Sequence, residues 1–433
     1  MPTLIFLIFF FPLSLLLARL TAARGDRGFL LACVIIAWLT LAPLVALVNI
    51  WMPFSDGGDD KNYYLLADPP ISSLADALDL GRFAGLMEQP GYPWLLSLLN
   101  ALTGHDLLVY KLLNLFLLIL LALTWYRIGL ALESARFARL MLVGIICLTP
   151  LWYYFFFLLK DLLIALLQSY FVLTVVKIWS VPRIPSLAGA AVSCLALLAL
   201  RTPLLVQNAA VLLGAVTSKA FARGVRGPRL APHLVAVLSV VAAIPVVTNP
   251  ETMLLFGIYT EHRIIGSAEM LDSADLHGAG SEMNRALFPL LYLFSETAGL
   301  SPQAWRVFDS SWLRGVLALP WIALVVPFFI LGLRWLLHVP DGVQPAKGVV
   351  ARLRQSRVIS TPWSVIALFF LGSFGISWMV GDTTRWRIPD MPFIAAIALA
   401  GWCYMSPSLR RQILMLWIIT SGVLFASFYM LRG

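Results

Sequence analysis

Apolar runs long enough to cross a bilayer recur from one end of this chain to the other, and that repetition leaves very few folds open. A hydrocarbon core of about 30 Å takes about 20 helical residues to cross. Inside it every backbone N–H and C=O must be satisfied by the spanning segment or its neighbours, which admits only helices and closed barrels. Continuous apolar runs of this length favour helices. The reading places spans near 3–20, 28–51, 107–125, 140–158, 162–179, 185–200, 203–218, 231–248, 316–334, 363–381, 389–405 and 412–431, about twelve in all. Residues 1–20 lack a basic leading region and a small-residue cleavage site, so they read as a first span and not as a secretion signal. Cys33, Cys147, Cys194 and Cys403 all fall inside apolar runs, where cysteine behaves as a small hydrophobe and not as part of a disulfide or metal framework.

The stretch from Ile184 to Ser218 is too long for one crossing, and Arg201-Thr202-Pro203 at its middle predicts a tight turn between two short spans. Charge then orients the whole chain. With the turn at Arg24–Arg27 on the cytoplasmic side, the inner connections hold 19 of the 31 Lys and Arg but only three of the 22 acids, Asp26, Glu133 and Asp341. The inner side carries +16 and the outer side −7, which together make the net +9. This asymmetry follows the positive-inside rule, so the basic isoelectric point is a matter of topology and gives no support to nucleic-acid binding.

Two long connections fall outside, residues 52–106 and 249–315, and neither is large enough to stand as a domain. Residues 1–433 read as one integral membrane domain. In the first loop, residues 71–86 carry an apolar stripe that predicts a helix lying along the interface, and Gly91–Leu102 predicts a short piece that enters the membrane edge without crossing. The fold class is all-α, with short interfacial helices on the outer loops.

Only 12% of the residues are charged, yet charged and phenolic groups collect at outer helix ends. Asp56, Asp59, Asp60 and Tyr63 follow the second span; Glu88 and Tyr92 close the first loop; Lys160-Asp161 interrupts an apolar stretch; Arg201 caps the short hairpin; and Arg385 and Arg387 open the eleventh span. Position alone fits snorkelling at the interface or a solvated loop. The mixture of signs goes further, because carboxylates facing cations from distant spans suit a general base on one side and a phosphate on the other. Asp59 and Asp60 are equal candidates for that base. In the second loop, His262 and Arg263 stand among several acids at a spacing that matches no compact ligand motif, so they read as part of a flap over an acceptor. No metal site is assigned, no cofactor is called for, and a divalent cation stays open.

The runs GDDKNYYLLA (Gly58–Ala67) and EQPGYPWLLSLLNALTG (Glu88–Gly104) resemble the first outer loop of the GT-C superfamily of polyprenyl-phosphate-dependent glycosyltransferases. RWRIPDMPF (Arg385–Phe393) is similar to the Arg-rich, Pro-containing entry to a late span in those enzymes and in polysaccharide polymerases of the EpsG and Wzy types. Two spans precede the acidic loop here, where many members of the superfamily have one. The resemblance implies an inverting transfer at the periplasmic face of a bacterial inner membrane, in cell-envelope or exopolysaccharide synthesis. A sugar or oligosaccharide would leave a polyprenyl phosphate or diphosphate and join an acceptor hydroxyl on a glycan or lipid-linked acceptor. Arg385 and Arg387 would hold the carrier phosphate, with Lys160 and Arg201 assisting. Single-sugar transfer and polymerisation stay open, and so do two other classes: a lipid-linked glycan flippase or transporter, and a non-catalytic subunit of polysaccharide assembly.

Overall fold

The computed structural model describes residues 1–55, 58–73, 76, 91–180, 184–198, 200–201, 204, 207–209, 211–212, 214–215, 309–339, 348, 351–352, 355–380 and 388–432. Among these, every regular element is helical. Helices α1 (Pro2–Thr21) and α2 (Arg27–Trp51) form an antiparallel pair joined by Trp38, whose indole Nε1 donates to Ser14 Oγ at 3.0 Å. Only 17% and 28% of their apolar windows are buried, so most of this pair lies on the surface of the bundle. By contrast, α5 (Leu107–Leu132) is apolar on all sides and 78% buried, and α8 (Asp161–Ser180) is 72% buried; these two form the centre of the bundle. Between α2 and α5 lie α3 (Asp59–Leu66) and α4 (Gly91–Thr103), the latter about 20 Å long and too short to cross a bilayer.

Helices α6 (Ala135–Ile146) and α7 (Thr149–Phe156) meet at a 47° bend. Pro150 has no N–H to return to the Ile146 carbonyl, and Trp152 Nε1 donates to that oxygen instead at 2.8 Å. After α8 comes α9 (Ile184–Leu198), and the predicted turn at Arg201 is present. Asn208 Nδ2 lies 4.0 Å from Cys194 Sγ, whereas fourteen residues of unbroken helix would hold them about 21 Å apart. The chain therefore reverses on Arg201.

Helix α10 (Ser310–Pro320) runs through a π-helical turn, Trp321–Val325, into α11 (Val326–Leu337). Prolines at 320 and 327 bracket that turn and remove two of the N–H groups that would hold an ordinary α-helical register. Then follow α12 (Trp363–Val380), a 3₁₀ turn Ile388–Asp390, α13 (Met391–Cys403) and α14 (Pro407–Arg432). Where α11 crosses α13 the backbones nearly touch: a Cβ on Gly401 would meet the Phe328 carbonyl and would lie 2.6 Å from the Gly332 nitrogen. Small residues at helix crossings of this kind are a hallmark of packing within lipid.

Among the described residues, five helices, α1, α2, α5, α8 and the continuous run 310–337, are long and apolar enough to cross a membrane, and the α6–α7 pair passes the same test if its two bent halves count as one span. The protein is a helical, membrane-embedded one. Helices α9, α12 and α13 contain shorter apolar segments. The expected span 231–248, most of the stripe at 71–86 and the second loop up to residue 308 lie outside the described residues. At one end of the bundle the basic connections come together. Asp26 accepts from Arg139 Nε at 2.8 Å and from the Tyr126 hydroxyl at 2.7 Å, while Glu133 accepts from Trp363 Nε1 and the Tyr404 hydroxyl, both at 2.7 Å. The acidic first loop sits at the other end.

Candidate functional site

Helix α3 begins sharply because Gly58 adopts φ +73°, a left-handed conformation that glycine takes without strain. Asp59 and Asp60 then occupy the first turn, where the helix dipole favours negative charge. They are not equivalent. Asp59 is partly exposed, whereas Asp60 is completely buried along with Tyr63 and Ala67, the positions spaced three and seven residues on. The Asp60 carboxylate accepts from Ser55 N at 2.6 Å, Ser55 Oγ at 3.0 Å and the Lys61 amide at 3.0 Å. Burial pushes its carboxyl above the usual carboxylate range, against the opposing pull of those donors and of the Lys111 ammonium.

Lys111 is the residue that sequence reasoning passed over. It stands in the first turns of α5, is fully buried, and donates from Nζ to Pro53 O at 2.7 Å, with Met52 O at 3.5 Å and the Phe157 ring centroid 5.6 Å away. A lysine near a helix end reads from sequence as a snorkelling cation. The available signal is Lys111-x-x-Asn114, two polar residues three apart on one face of an otherwise apolar helix.

Asn114, also fully buried, ties three elements together. Its Oδ1 accepts from the Tyr92 hydroxyl at 2.9 Å, and its Nδ2 reaches the carbonyls of Tyr154, Phe157 and Leu159 at 3.1, 3.2 and 3.1 Å. Those oxygens belong to the end of α7 and the non-helical step before α8. The amide thus holds open the break that the sequence marks with Lys160-Asp161.

Tyr92 opens α4 and sits at the centre of the group. Its ring is fully buried and meets Tyr63 edge-on at 5.1 Å, while Tyr63, Asp60 and Asp161 all act on it electrostatically. Burial is the largest of the causes that raise its phenol well above the ordinary value, so it remains a neutral donor to Asn114. Asp161 stands in the first turn of α8 and pairs with Arg201 at the hairpin tip, Nη2 to Oδ1 3.1 Å, both side chains buried. The structure therefore brings together Asp59, Asp60, Tyr63, Tyr92, Asp161 and Arg201 from four separate parts of the chain, and puts Lys160 beside them on the break. Asp56, Glu88, His262, Arg263, Arg385 and Arg387 lie outside the described residues. The turn that follows the last two, Ile388–Asp390, is fully buried and packs against α8, the helix that Asp161 starts.

Beside this group, Tyr64 lies against His105 at 4.1 Å, and His105 Nδ1 is 3.0 Å from the Tyr110 hydroxyl. Among the described residues no three His, Cys, Asp or Glu side chains come together as metal ligands would. Chemically, the arrangement offers a fixed buried carboxylate, a second carboxylate next to it with a more open face, a buried ammonium and a rigid phenol. Comparison with family models, with curated proteins and with solved structures finds no significant match.

Proposed function

We propose that the chain is a membrane glycosyltransferase that moves a sugar or oligosaccharide from a polyprenyl-phosphate or polyprenyl-diphosphate carrier to an acceptor hydroxyl. The reaction would take place on the outer face, which in a bacterium is the periplasmic side of the inner membrane. The observation that carries this reading is the convergence on Tyr92 of Asp60 from the first loop and Asp161 from a distant helix, with Lys111 and Arg201 as their buried counter-charges. A solvated loop has no reason to bury two carboxylates near a buried phenol, because each buried ion must be matched by partners.

In the transfer, the acceptor oxygen forms a bond to the anomeric carbon, the bond from that carbon to the phosphate oxygen breaks, and the leaving phosphate keeps the electron pair. A base takes the acceptor's proton. Asp60 is closed off by its three donors, which suits it to hold the loop, and Asp59, next to it and partly exposed, is the better placed base. Arg201 is engaged with Asp161, so we assign it to holding the hairpin against α8. The carrier phosphate is assigned to Arg385 and Arg387, with Lys160 assisting.

The test is turnover of a panel of polyprenyl-linked sugar donors by purified protein, following release of the lipid phosphate or diphosphate. Asp59→Asn is expected to lower release by at least about a hundredfold, the low end for loss of a general base, with the melting temperature unchanged. Normal release by Asp59→Asn would remove it as the base. If no donor is turned over while labelled lipid crosses proteoliposomes, the transporter reading replaces this one.

A further inference from the structure

A cavity of about 320 Å³ lies away from the polar group, among α6, the π-helical turn and α13. Its wall is formed by Met141 and Gly144 on α6 and by Leu148 in the bend between α6 and α7. Across from them stand Leu324 of the π-helical turn and Ala398 and Trp402 of α13. Gly144 and Leu324 are exposed on the bundle's surface, so the groove opens sideways among helices whose surroundings are hydrocarbon.

Its lower end is different in character. Trp402 lies at the basic end of the bundle, and the Arg410 guanidinium sits 5.1 Å from its ring centroid. Arg410 is anchored by Nε and Nη2 to the Met405 carbonyl, at 3.0 and 2.8 Å. Arg136 joins Arg410 in acting electrostatically on neighbouring Cys403, with Glu133 acting in the opposite sense. An apolar groove thus runs down to an interfacial tryptophan under a fixed arginine with a second arginine close by, an arrangement complementary to one amphiphile with an apolar chain and a negative head.

We infer that this groove holds one acyl chain of an anionic phospholipid from the leaflet on the basic side, with its phosphate on Arg410 and Arg136. The π-helical turn and the α6–α7 bend border the space, through Trp321, Leu324 and Val325 on one side and Leu148 and Thr149 on the other. The site is independent of the proposed glycosyl transfer.

The test uses the full chain in phosphatidylcholine vesicles doped with phosphatidylglycerol that carries a diazirine near the end of one acyl chain. Crosslinks are expected on peptides covering 141–149 and 320–328. A Cβ on Gly144 meets nothing within 4 Å, so Gly144→Phe fills the groove without a backbone clash and should abolish those crosslinks while the protein stays folded. Arg410→Gln should lower labelling by the anionic probe about fivefold, one basic residue's share of attraction, and leave labelling by a phosphatidylcholine probe unchanged. Equal labelling by both headgroups in the wild type would overturn the anionic assignment. Labelling that persists in Gly144→Phe, or its replacement by crosslinked dimers, would overturn the lipid site itself.

Discussion

At the scale of single residues, the buried carboxylate of Asp60 makes the sharpest prediction. Burial raises its pKa above the usual value near 3.8, so the folded protein holds that proton more tightly than the unfolded chain does. The sign follows from linkage: Asp60's contribution is fully present below its unfolded pKa and is lost as pH rises through its folded pKa. Asp60→Asn cannot ionise, so its melting temperature relative to wild type should climb as pH rises through that range; a constant difference would mean Asp60 titrates as in water. Asn114 gives the second residue prediction. Asn114→Leu strands the Tyr92 hydroxyl and takes the amide donor from the Tyr154 and Leu159 carbonyls, while Phe157 O keeps the Leu159 amide; each buried group left unsatisfied costs about 1–3 kcal/mol, so it should melt well below wild type while Tyr92→Phe, which removes a single bond, costs less. The acids and tyrosines of this site and Arg201 were legible because charge stands out in an apolar chain. Lys111 and Asn114 were not, since which way a side chain at a helix end points, out to the interface or inward to a carboxylate, is decided by the neighbouring helices.

At the scale of elements, periodicity and length account for most of what the sequence disclosed. The hairpin on Arg201 followed from an apolar run too long for one crossing with a polar Arg-Thr-Pro at its centre, and the contact of Asn208 with Cys194 bears it out. The π-helical turn was not legible, although Pro320 and Pro327 mark its place, because prolines in membrane helices are compatible with several local geometries. Nor was the α11–α13 crossing, since a glycine in a span announces close approach without naming the partner. That crossing can be tested directly. Gly401→Ala puts a methyl group 2.6 Å from the Gly332 nitrogen and against the Phe328 carbonyl, a contact with backbone that no rotamer change relieves. We expect a loss of about 1–3 kcal/mol or more, the usual cost of overpacking, seen as a lower melting temperature in detergent. Gly144→Ala, which meets nothing, is the control and should melt at or slightly above wild type, since alanine favours a helix interior over glycine by about 0.5–1 kcal/mol.

At the scale of the whole molecule, the proposed function requires the two ends of the bundle to face opposite solvents. Charge asymmetry assigns Arg24–Arg27 and the connections around Arg136, Arg139 and Arg357 to one side, and the structure independently gathers the described ones: Asp26 with Arg139 and Tyr126, Glu133 with Trp363 and Tyr404. It likewise gathers Asp60, Tyr92, Asp161 and Arg201 at the opposite end, as a topology with the hairpin at Arg201 requires. Had residues 184–218 formed one tilted span, every later element would have inverted, and Asn208 could not have come back to Cys194. The sidedness itself is open to measurement through exposed positions at the two ends. Lys61→Cys and Ser408→Cys both fall on exposed residues, one in α3 beside the acidic pair and the other at the start of α14. In a background with the four native cysteines replaced by alanine or serine, a membrane-impermeant maleimide applied to intact cells should label Lys61→Cys, and should label Ser408→Cys only after the membrane is opened. Labelling in the reverse order would move the carboxylates to the cytoplasmic side. A lipid-linked donor presented from outside could not then reach them, and the assignment of Asp59 as base would fall with the topology that supports it.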